Sequence, residues 1–330
     1  MSQRYVVTGA AGFIASRVAR LLLDAGHEVV GVDNLNDAYD PRLKQWRLAK
    51  LQAESRFRFT ELDVAHHQQV SDFFAATAAD GDRPIAAVLH LAARAGVRQS
   101  VEMPHVYVET NVTGTLNVLE ACRTLGISKF VLASTSSLYG DTTETVFRED
   151  MHSSRPLSPY AASKKGAEAM AFAYHRLHNI DTTVVRYFTV YGPAGRPDMS
   201  VFRFVRQLIE DETITIFGDG SQRRDFTFVD DIARGTILGL KPIGYEVINL
   251  GSDRPVELMD VLEKIAQLAG KKPDIRFLPA HAADVPATWA DVTKARNLLG
   301  WQPQVSLDEG LRQSIQWYLE NRSFAREIVL

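Results

Sequence analysis

The sequence predicts an α/β protein in which a doubly wound parallel sheet carries helices on both faces and a smaller mixed α/β region follows. Three observations lead to this prediction. The chain has 330 residues, 45% of them hydrophobic, which is enough for more than one domain. Up to about residue 180, short apolar runs alternate with helical patterns, as in parallel sheets with crossover helices. Beyond it, Pro193, Pro197, Gly218 and Gly220 divide the chain into shorter segments.

Each predicted strand is a short apolar run, and each predicted helix has apolar residues at helical spacing. The predicted strands are Tyr5–Thr8, Glu28–Val32, Phe57–Leu62, Ala86–His90, Lys129–Ala133, Thr182–Tyr187 and Tyr245–Leu250. The predicted helices are Gly12–Ala25, Val70–Ala79, Val106–Leu125, Tyr160–Asn179, Leu258–Ala269 and Leu307–Leu319. We therefore expect a first domain at 1–180 and a second at 181–330, with later segments such as 224–250 returning to the first.

Composition and charge exclude several classes of function. The net charge is −3, with both signs spread along the chain, and no basic block suggests a nucleic acid partner. No run of about 18 apolar residues could span a bilayer, and the chain enters its first strand directly, so we expect neither a membrane span nor a signal peptide. Cys122 is the only cysteine, which excludes an internal disulfide and a multi-cysteine metal site. We expect a cytoplasmic protein without a metal ion, in which Cys122 is buried and His66, His67 and His90 are structural.

A glycine-rich turn follows the first predicted strand. In Thr8-Gly9-x-x-Gly12-x-x-Ala15 the glycines let the backbone turn tightly and approach a pyrophosphate, which the N-terminus of the next helix attracts. Asp33 ends the second strand about 20 residues further on, where a carboxylate binds a ribose 2′-OH and repels a 2′-phosphate. The pattern predicts bound NAD rather than NADP, with a turn or helix-cap role for Asp33 as the alternative.

Two other strand ends are predicted to face the same cofactor. Asp63 and Val64 end the third strand, and Leu91, Ala92 and Ala93 follow the fourth. Ligands of open α/β sheets gather at the carboxyl ends of the strands. A purely structural role for Asp63 stays open.

Tyr160 and Lys164 form a candidate catalytic pair. They are four residues apart on a predicted helix, so their side chains are neighbours, and Leu157-Ser158-Pro159 predicts that the helix starts just before Tyr160. A free phenol has a pKa of about 10 and is a poor base. We expect the Lys164 ammonium, together with an oxidised nicotinamide, to lower the pKa of Tyr160, so that the phenolate removes a proton from a substrate hydroxyl. A solvated helix face is the alternative for this common spacing.

Hydroxyl and guanidinium side chains supply further candidates. The run Ser134-Thr135-Ser136-Ser137 leaves the fifth strand at its carboxyl end, where either turn formation or substrate binding explains it. Arginine forks onto phosphate oxygens, which favours a diphosphate as the partner of Arg196 and Arg224, although surface ion pairs are the commoner role. Arg98 either contacts the substrate or merely begins a helix. Asp230 and Asp231 are interpreted as a helix N-cap.

These motifs resemble the extended short-chain dehydrogenase/reductase family of nucleotide-sugar enzymes, nearly end to end. The resemblance rests on Thr8–Ala15, on Tyr160–Lys164, on Asn111 within Thr110–Thr115, and on Ser134–Gly140. Closer similarity is to the UDP-glucuronate 4-epimerases, through Asp33–Asp37, Ala95–Arg98, Arg186–Pro193, Gly195–Met199, Arg223–Phe226 and Asp284–Thr288. The sequence departs from the family at Ala15 and at Ala282-Ala283, where glycines are usual.

The resemblance implies a Rossmann domain that binds NAD and a nucleotide-sugar domain that binds a UDP-sugar. It implies that Tyr160, assisted by Thr135, takes the proton from the sugar O4, that a 4-keto sugar turns over, and that hydride returns with C4 inverted. The implied cofactor-binding residues are Gly9, Gly12, Phe13, Ile14, Asp33, Asn34, Asp63, Val64, Leu91, Ala92, Ala93, Asn111, Tyr160 and Lys164. The implied substrate-binding residues are Thr135, Ser136, Ser137, Tyr160, Thr189, Arg196, Arg224, Arg98 and Asp284, with Asp284 at the uridine ribose.

The residues next to Thr135 separate this activity from those of related enzymes. The family's 4,6-dehydratases carry an Asp-Glu pair and its decarboxylases a Glu in this segment, whereas Ser136 and Ser137 stand here. Neutral UDP-hexose 4-epimerases often have Asn at the position of Thr189, so Thr189 favours a uronate. The expected activity is UDP-glucuronate 4-epimerisation. The alternatives are UDP-glucose/UDP-galactose 4-epimerase, UDP-glucuronate decarboxylase and a catalytically silent NAD(H)-sensing regulator.

The predicted helices Val106–Leu125 and Tyr160–Asn179 carry apolar residues on more than one face. A helix that is apolar all round is usually buried. In similar enzymes these two helices form a four-helix interface with a second copy, so we expect a homodimer.

Overall fold

The computed structural model describes residues 2–81, 83–279 and 286–330. Its strands, in chain order, are β1 Arg4–Thr8, β2 Glu28–Asp33, β3 Phe57–Glu61, β4 Ile85–His90, β5 Lys129–Thr135, β6 Asp181–Tyr187, β7 Thr189–Tyr191, β8 Ile214–Phe217, β9 Arg223–Phe228, β10 Tyr245–Leu250, β11 Pro255–Glu257 and β12 Ile275–Leu278. Seven of them form one parallel sheet in the order β10-β6-β5-β4-β1-β2-β3. The predicted α/β class with a doubly wound parallel sheet is confirmed.

Helices cover both faces of the sheet and fill the smaller region. They are α1 Phe13–Asp24, α2 Pro41–Gln52, α3 His67–Ala79, α4 Val97–Glu102, α5 Pro104–Val108, α6 Gly114–Leu125, α7 Pro159–His178, α8 Ser200–Ile209, α9 Val229–Leu238, α10 Leu258–Ala269, α11 Thr293–Leu299, α12 Leu307–Glu320 and α13 Arg322–Ala325. Every residue of β1 and β5 is buried, because helices cover a parallel sheet on both faces.

The smaller region is built from two further sheets, β11-β9-β7 and β12-β8, together with α8, α10 and α12. Its own apolar core includes Phe202, Phe226 and Trp317. Two strands beyond residue 180, β6 and β10, belong to the large sheet, so that sheet extends past the predicted boundary at residue 180. Within the segment 224–250, β9 stays in the smaller region, while α9 packs on α1.

Helix α2 is absent from the sequence prediction. It buries Lys44 and Arg47 together with its leucines, so its sequence shows no continuous apolar stripe. The start signal is nevertheless present, because Asp40 caps the helix by accepting a hydrogen bond from Arg42 N, and Pro41 occupies the first turn.

The predicted helix Val106–Leu125 is interrupted. A π-helical turn, Glu109–Thr113, separates α5 from α6 and buries Thr110 and Asn111. Such turns occur often at functional sites. Here it directs the Asn111 side chain toward the loop after β4 and toward α7.

Among the described residues, no helix combines the length and the apolar character needed to cross a bilayer. In the same residues, no three His, Cys, Asp or Glu side chains are grouped so as to hold a metal ion. Cys122 is buried in the core, as predicted.

Candidate active site

A cleft of about 810 Å³ lies at the carboxyl edge of the large sheet and extends to the smaller region. It is lined at the sheet by the ends of β1, β2, β4, β5 and β6, and across from them by α8, β8 and the start of β9. This is the edge at which open α/β sheets bind their ligands.

The glycine-rich turn forms one end of this cleft and has no room for side chains. Gly9 has φ +71°, and a Cβ there would lie 2.8 Å from Ala92 N. A Cβ on Gly12 would lie 2.8 Å from Gly9 O. Gly12 precedes α1, and no side chain caps the N-terminus of that helix. The backbone N–H groups there are available to a pyrophosphate, so the turn fits NAD.

Asp33 lies at the end of β2 and lines the cleft. Its carboxylate accepts hydrogen bonds from Ala11 N at 3.2 Å and Leu35 N at 2.9 Å, and from Lys44 Nζ at 3.3 Å. The turn role considered for Asp33 is therefore present, and the side chain still faces the cofactor edge. Lys44, on the unpredicted helix α2, is the partner that sequence reasoning missed.

The loop Leu91–Ala93 is held in place by a chain of hydrogen bonds from Thr8. Thr8 Oγ1 accepts from Leu91 N and Ala92 N, both at 3.1 Å, so its single proton points to His90 Nδ1 at 2.8 Å. The other ring nitrogen, Nε2, then donates to Thr115 Oγ1 at 3.2 Å. Burial, with a smaller contribution from the Lys164 charge, lowers the pKa of His90 to about 3. His90 is thus a neutral structural residue, as predicted.

Two of the predicted cofactor residues, among those described, do not line the cleft. Asp63 accepts hydrogen bonds from Asn34 Nδ2 at 2.8 Å and Ala65 N at 2.9 Å. Asn111 bonds the backbone of Arg94 through both ends of its amide and donates to Ser163 Oγ at 2.8 Å. Both residues hold cleft-forming segments in place, and their direct contact with a cofactor stays a prediction. The other predicted cofactor residues, from Gly9 to Lys164, line the cleft.

Helix α7 delivers Tyr160 and Lys164 to the centre of the cleft. It starts where the sequence predicts, with Pro159 in the first turn and Ser158 Oγ accepting a hydrogen bond from Ala161 N at 3.2 Å. Both side chains line the cleft with Thr135. Lys164 is 3% exposed, and its Nζ donates to Ala133 O at 2.9 Å. The pair is therefore part of the site and not a solvated helix face.

The predicted lowering of the Tyr160 pKa is wrong for the protein chain by itself. Burial raises the pKa of Tyr160, while a hydrogen bond with Thr135 and the charge of Arg196 act in the opposite direction. Burial also lowers the pKa of Lys164 to about 8, against which Glu168 acts. The sequence does not reveal that Lys164 is buried and Tyr160 half-buried, and burial penalises both the phenolate and the ammonium.

The hydroxyl run after β5 enters the cleft as a short 3₁₀ turn. Thr135 caps this turn by accepting from Ser137 N at 3.2 Å, so the turn-forming role is real. Thr135, Ser136, Ser137 and Thr189 all line the cleft, so the same residues also face a ligand.

Four arginines line the cleft on the side of the smaller region. Arg196 is held by Asp198 through two hydrogen bonds of 3.0 and 2.5 Å. Arg98 lies over the Phe217 ring, 4.3 Å from its centroid, so it does more than begin α4. Arg224 donates to Arg223 O at 2.8 Å and lines the cleft. Asp284, the predicted ribose contact, lies outside the described residues.

The fourth arginine, Arg203 on α8, is absent from the sequence prediction. Burial and the positive charge of Arg98 lower its pKa. The half-buried positions of α8 and its end are Ser200, Arg203, Arg206 and Glu210, and this spacing looks like a solvent-facing stripe. Two guanidinium groups that repel each other in a partly desolvated cleft favour an anionic ligand between them.

Asp230 and Asp231 are not the N-cap of α9, because Phe228 holds that position and the two acids lie in the first turn. Asp230 pairs with Arg17 on α1, and Asp231 accepts from Gln304 N and Val305 N, both at 2.9 Å. They therefore join α9 to other segments, away from catalysis.

The model of the NAD dependent epimerase/dehydratase family matches residues 5–251. The chain is 52% identical over 325 residues to the UDP-glucuronate 4-epimerase of Thermodesulfobacterium geofontis, covering 98% of each chain. The chain belongs to the NAD dependent epimerase/dehydratase family. Its cofactor is NAD, and the glycine turn and Asp33 line the cleft where the sequence predicts that it binds.

Solved structures of related enzymes share the whole fold. The UDP-glucuronic acid 4-epimerase of Bacillus cereus, in complex with UDP-glucuronic acid and NAD, is 37% identical, with a TM-score of 0.89 over 96% of this chain and 99% of that one. The UDP-glucose 4-epimerase of Thermotoga maritima, in complex with UDP-glucose, is 31% identical, with a TM-score of 0.87 over 97% of this chain and 100% of that one. Overall shape is therefore common to enzymes that act on uronate and on neutral sugars.

Proposed function

We propose that this protein is a UDP-glucuronate 4-epimerase, which inverts C4 and interconverts UDP-glucuronate and UDP-galacturonate. One observation carries the proposal. The Tyr160, Lys164 and Thr135 side chains share a cleft with an NAD site at one end and four arginines at the other. The similarity to the bacterial UDP-glucuronate 4-epimerases supports the same substrate.

The chain's own residues manage the proton at the sugar O4. Tyr160 removes this proton as the 4-keto sugar forms and returns it when C4 is reduced, with Thr135 bonded to the same oxygen. NAD, held at the glycine turn, would supply the hydride acceptor for C4 and the hydride donor for the opposite face. Lys164 places a positive charge one helical turn from the phenol, which favours the phenolate.

Ser136, Ser137, Thr135 and Thr189 are proposed to hold the C6 carboxylate. A 4-keto uronic acid is a β-keto acid and can lose CO₂. Hydroxyl groups donate charge-assisted hydrogen bonds to a carboxylate and thereby hold it away from the geometry that cleavage needs. Arg196, Arg98, Arg203 and Arg224 are proposed to bind the diphosphate, because they supply positive charge at the far side of the cleft.

The decisive assay incubates purified protein separately with UDP-glucuronate and UDP-glucose, without added cofactor, and identifies the products by NMR. The expected product is UDP-galacturonate, with slow or undetectable conversion of UDP-glucose. UDP-galactose as the main product would identify a neutral-sugar epimerase. A UDP-pentose with CO₂ would identify a decarboxylase, and no turnover of either sugar would favour a regulatory protein.

Ser136→Ala and Thr189→Ala test the proposed role of the hydroxyls. Each removes one hydrogen bond to the C6 carboxylate, so we expect more CO₂ release or slower turnover of the uronate. Thr142→Val is a matched control, since Thr142 is a hydroxyl residue of the loop between β5 and α7, and its side chain accepts a hydrogen bond from Glu144 N at 3.1 Å. Unchanged product ratio and rate in both alanine variants would contradict the proposed role.

A homodimer is proposed through α6 and α7. The outward surface of these helices and their neighbours exposes Val101, Met103, Val108, Phe172 and Leu177, each at least 46% exposed. An apolar surface of this kind marks a protein contact site. The cytoplasmic location remains a prediction.

Light scattering at micromolar concentration should give the mass of a dimer. Ala169→Arg places a charge on the exposed face of α7 and should yield a monomer, whereas Leu319→Arg on α12 should leave the dimer intact. A monomeric wild-type protein would exclude this interface.

A further inference from the structure

A buried carboxylate on α7 contacts β5 and β6, two neighbouring strands whose carboxyl ends line the cleft. Glu168 is 3% exposed and lies one helical turn beyond Lys164. Its Oε1 accepts hydrogen bonds from Ser134 Oγ at 2.6 Å and Arg186 Nε at 2.9 Å, and its Oε2 accepts from Arg186 Nη2 at 2.8 Å. Neither the glycine turn nor the Tyr-Lys spacing points to this residue.

Glu168 and its two partners, Ser134 and Arg186, lie on the three segments that carry the proposed reacting and carboxylate-binding groups. Helix α7 carries Tyr160 and Lys164. Ser134 immediately precedes Thr135 at the end of β5. Arg186 pairs in register with Ser134 and lies on β6, three residues before Thr189. One carboxylate thus fixes the relative position of the base, its hydroxyl partner and the proposed carboxylate-binding residues.

The charges around Glu168 give it an electrostatic role as well. Arg186 is 3% exposed, and its guanidinium also lies over the Tyr139 ring, 4.9 Å from the centroid. A charged Arg186 without Glu168 would leave two buried cations, Arg186 and Lys164, with no carboxylate between them. Buried charges need such compensation, and removing one partner of a buried pair leaves the other uncompensated.

We propose that Glu168 is a positioning residue for the epimerisation, which ties α7 to the ends of β5 and β6 and sustains the positive charge of Lys164. The inference rests on the proposed function. The direction of the Lys164 pKa agrees with it, because Glu168 raises that pKa against the lowering caused by burial.

The titratable and charged groups around Lys164 come from several elements. His90 on β4 and Glu168 on α7 act on Lys164 directly, and Arg186 on β6 and Lys165 on α7 contact Glu168. Tyr107 on α5 contacts the Tyr160 ring, and Glu120 on α6 bonds Tyr174 further along α7. His90 is neutral, and Glu120 is engaged with Arg123 and Tyr174. Lys165 lies 3.8 Å from Glu168 Oε2 and is half-buried. Glu168 is thus the carboxylate that acts on the Lys164 charge.

The test is the pH dependence of kcat, measured on the full-length protein with UDP-glucuronate from pH 6 to pH 10. Loss of the Lys164 proton should produce an alkaline limb near pH 8 in the wild type. Glu168→Gln keeps the shape of the side chain but removes its charge, so the limb should move about one pH unit lower. Glu168→Asp keeps the charge and should leave the limb within about 0.3 units of the wild type, with a lower kcat.

Asp181→Asn is the matched control. Asp181 joins β5 and β6 at their other end, through Lys129 Nζ and Gly244 N. Its loss should lower the melting temperature without moving the alkaline limb. If Glu168→Gln does not fold, Ser134→Ala takes its place. It removes one hydrogen bond to Glu168 and keeps the charge, so kcat should fall at every pH with KM and the limb unchanged.

Three results would overturn the inference. The first is a Glu168→Gln variant whose kcat has the same alkaline limb as the wild type. The second is an alkaline limb that moves equally in Glu168→Gln and Asp181→Asn. The third is a Ser134→Ala variant with the wild-type kcat. Failure of the proposed function is distinguishable, because the wild-type protein itself would then not epimerise UDP-glucuronate.

Discussion

The two ends of the cleft are built by different means. At the predicted cofactor end, the glycine turn presents backbone to the cleft, because Gly9 and Gly12 leave no room for side chains, and Thr8 holds the loop after β4 by accepting from its backbone N–H groups. At the substrate end, charged side chains from α4, α8, β9 and the loop after β7 converge from distant parts of the sequence. A backbone site depends on steric space and dihedral angles, whereas a side-chain site depends on which helices and strands meet.

The catalytic pair stands between these two ends, and its loss should have the largest effect. Tyr160→Phe removes the phenol oxygen that takes the proton, so we expect kcat to fall by about 10³-fold, within the usual range for general acid–base catalysis. Bound NAD should be retained, which its absorbance and release on denaturation will show.

Tyr107→Phe serves as the control for this variant. Its ring is 6.1 Å from that of Tyr160, and its hydroxyl donates to Ala95 O at 3.3 Å. We expect its kcat to change less than threefold. A Tyr160→Phe variant that keeps a tenth of the wild-type activity would remove the phenol from the mechanism.

The cofactor end should be broken most sharply by Gly9→Ala. The new Cβ would lie 2.8 Å from Ala92 N, a backbone atom that cannot move away cheaply, and the positive φ adds strain. We expect about a 100-fold loss of NAD affinity, measured as the NAD content of the purified protein and by titration.

Gly26→Ala is the control that separates backbone strain at positive φ from a steric clash of the new Cβ. Gly26 has φ +86°, but a Cβ there meets nothing within 4 Å. This variant should cost about 1 kcal/mol of stability and keep its NAD. If Gly9→Ala and Gly26→Ala retain NAD equally, the close approach of the Gly9 backbone to Ala92 is not required for NAD binding.

The substrate end should respond more mildly, because several arginines share the anionic ligand. Arg203→Met removes one guanidinium from the cleft and should raise KM for UDP-glucuronate about tenfold with little change in kcat. Arg206→Met on the same helix is the control, since Arg206 bonds Ile328 O and pairs with Glu212. Equal KM values for the two variants would show that Arg203 does not bind the substrate.

Much of the fold could be read from local patterns. Strand and helix periodicity predicted the parallel sheet, and Leu157-Ser158-Pro159 located the start of α7 to within one residue. Helix α2 escaped prediction because it buries Lys44 and Arg47, so its pattern is not amphipathic in the ordinary sense. Lys44, which bonds Asp33, lies on this helix and was therefore missed as well.

Within the candidate site, too, some residues could be predicted from local sequence patterns and others could not. Tyr160, Lys164 and Asp33 stand in short motifs whose spacing carries chemical meaning. Arg203 lies in what looks like the solvent-facing stripe of α8, and only the packing of that helix against the cleft makes it a candidate ligand. Glu168 likewise looks like one more polar helix residue until β5 and β6 bring Ser134 and Arg186 to it.

The sequence by itself determined the parallel α/β class and the positions of the glycine turn and of the candidate base Tyr160, because periodicity and short motifs are local properties of the chain. Only the tertiary structure decided the charge environment of that phenol. Burial raises the pKa of Tyr160 and lowers that of Lys164, while Arg196, from a distant part of the chain, acts against the first shift and Glu168, on the same helix, acts against the second. Desolvation and Coulomb energies depend on distances in space, which the order of residues along the chain does not specify.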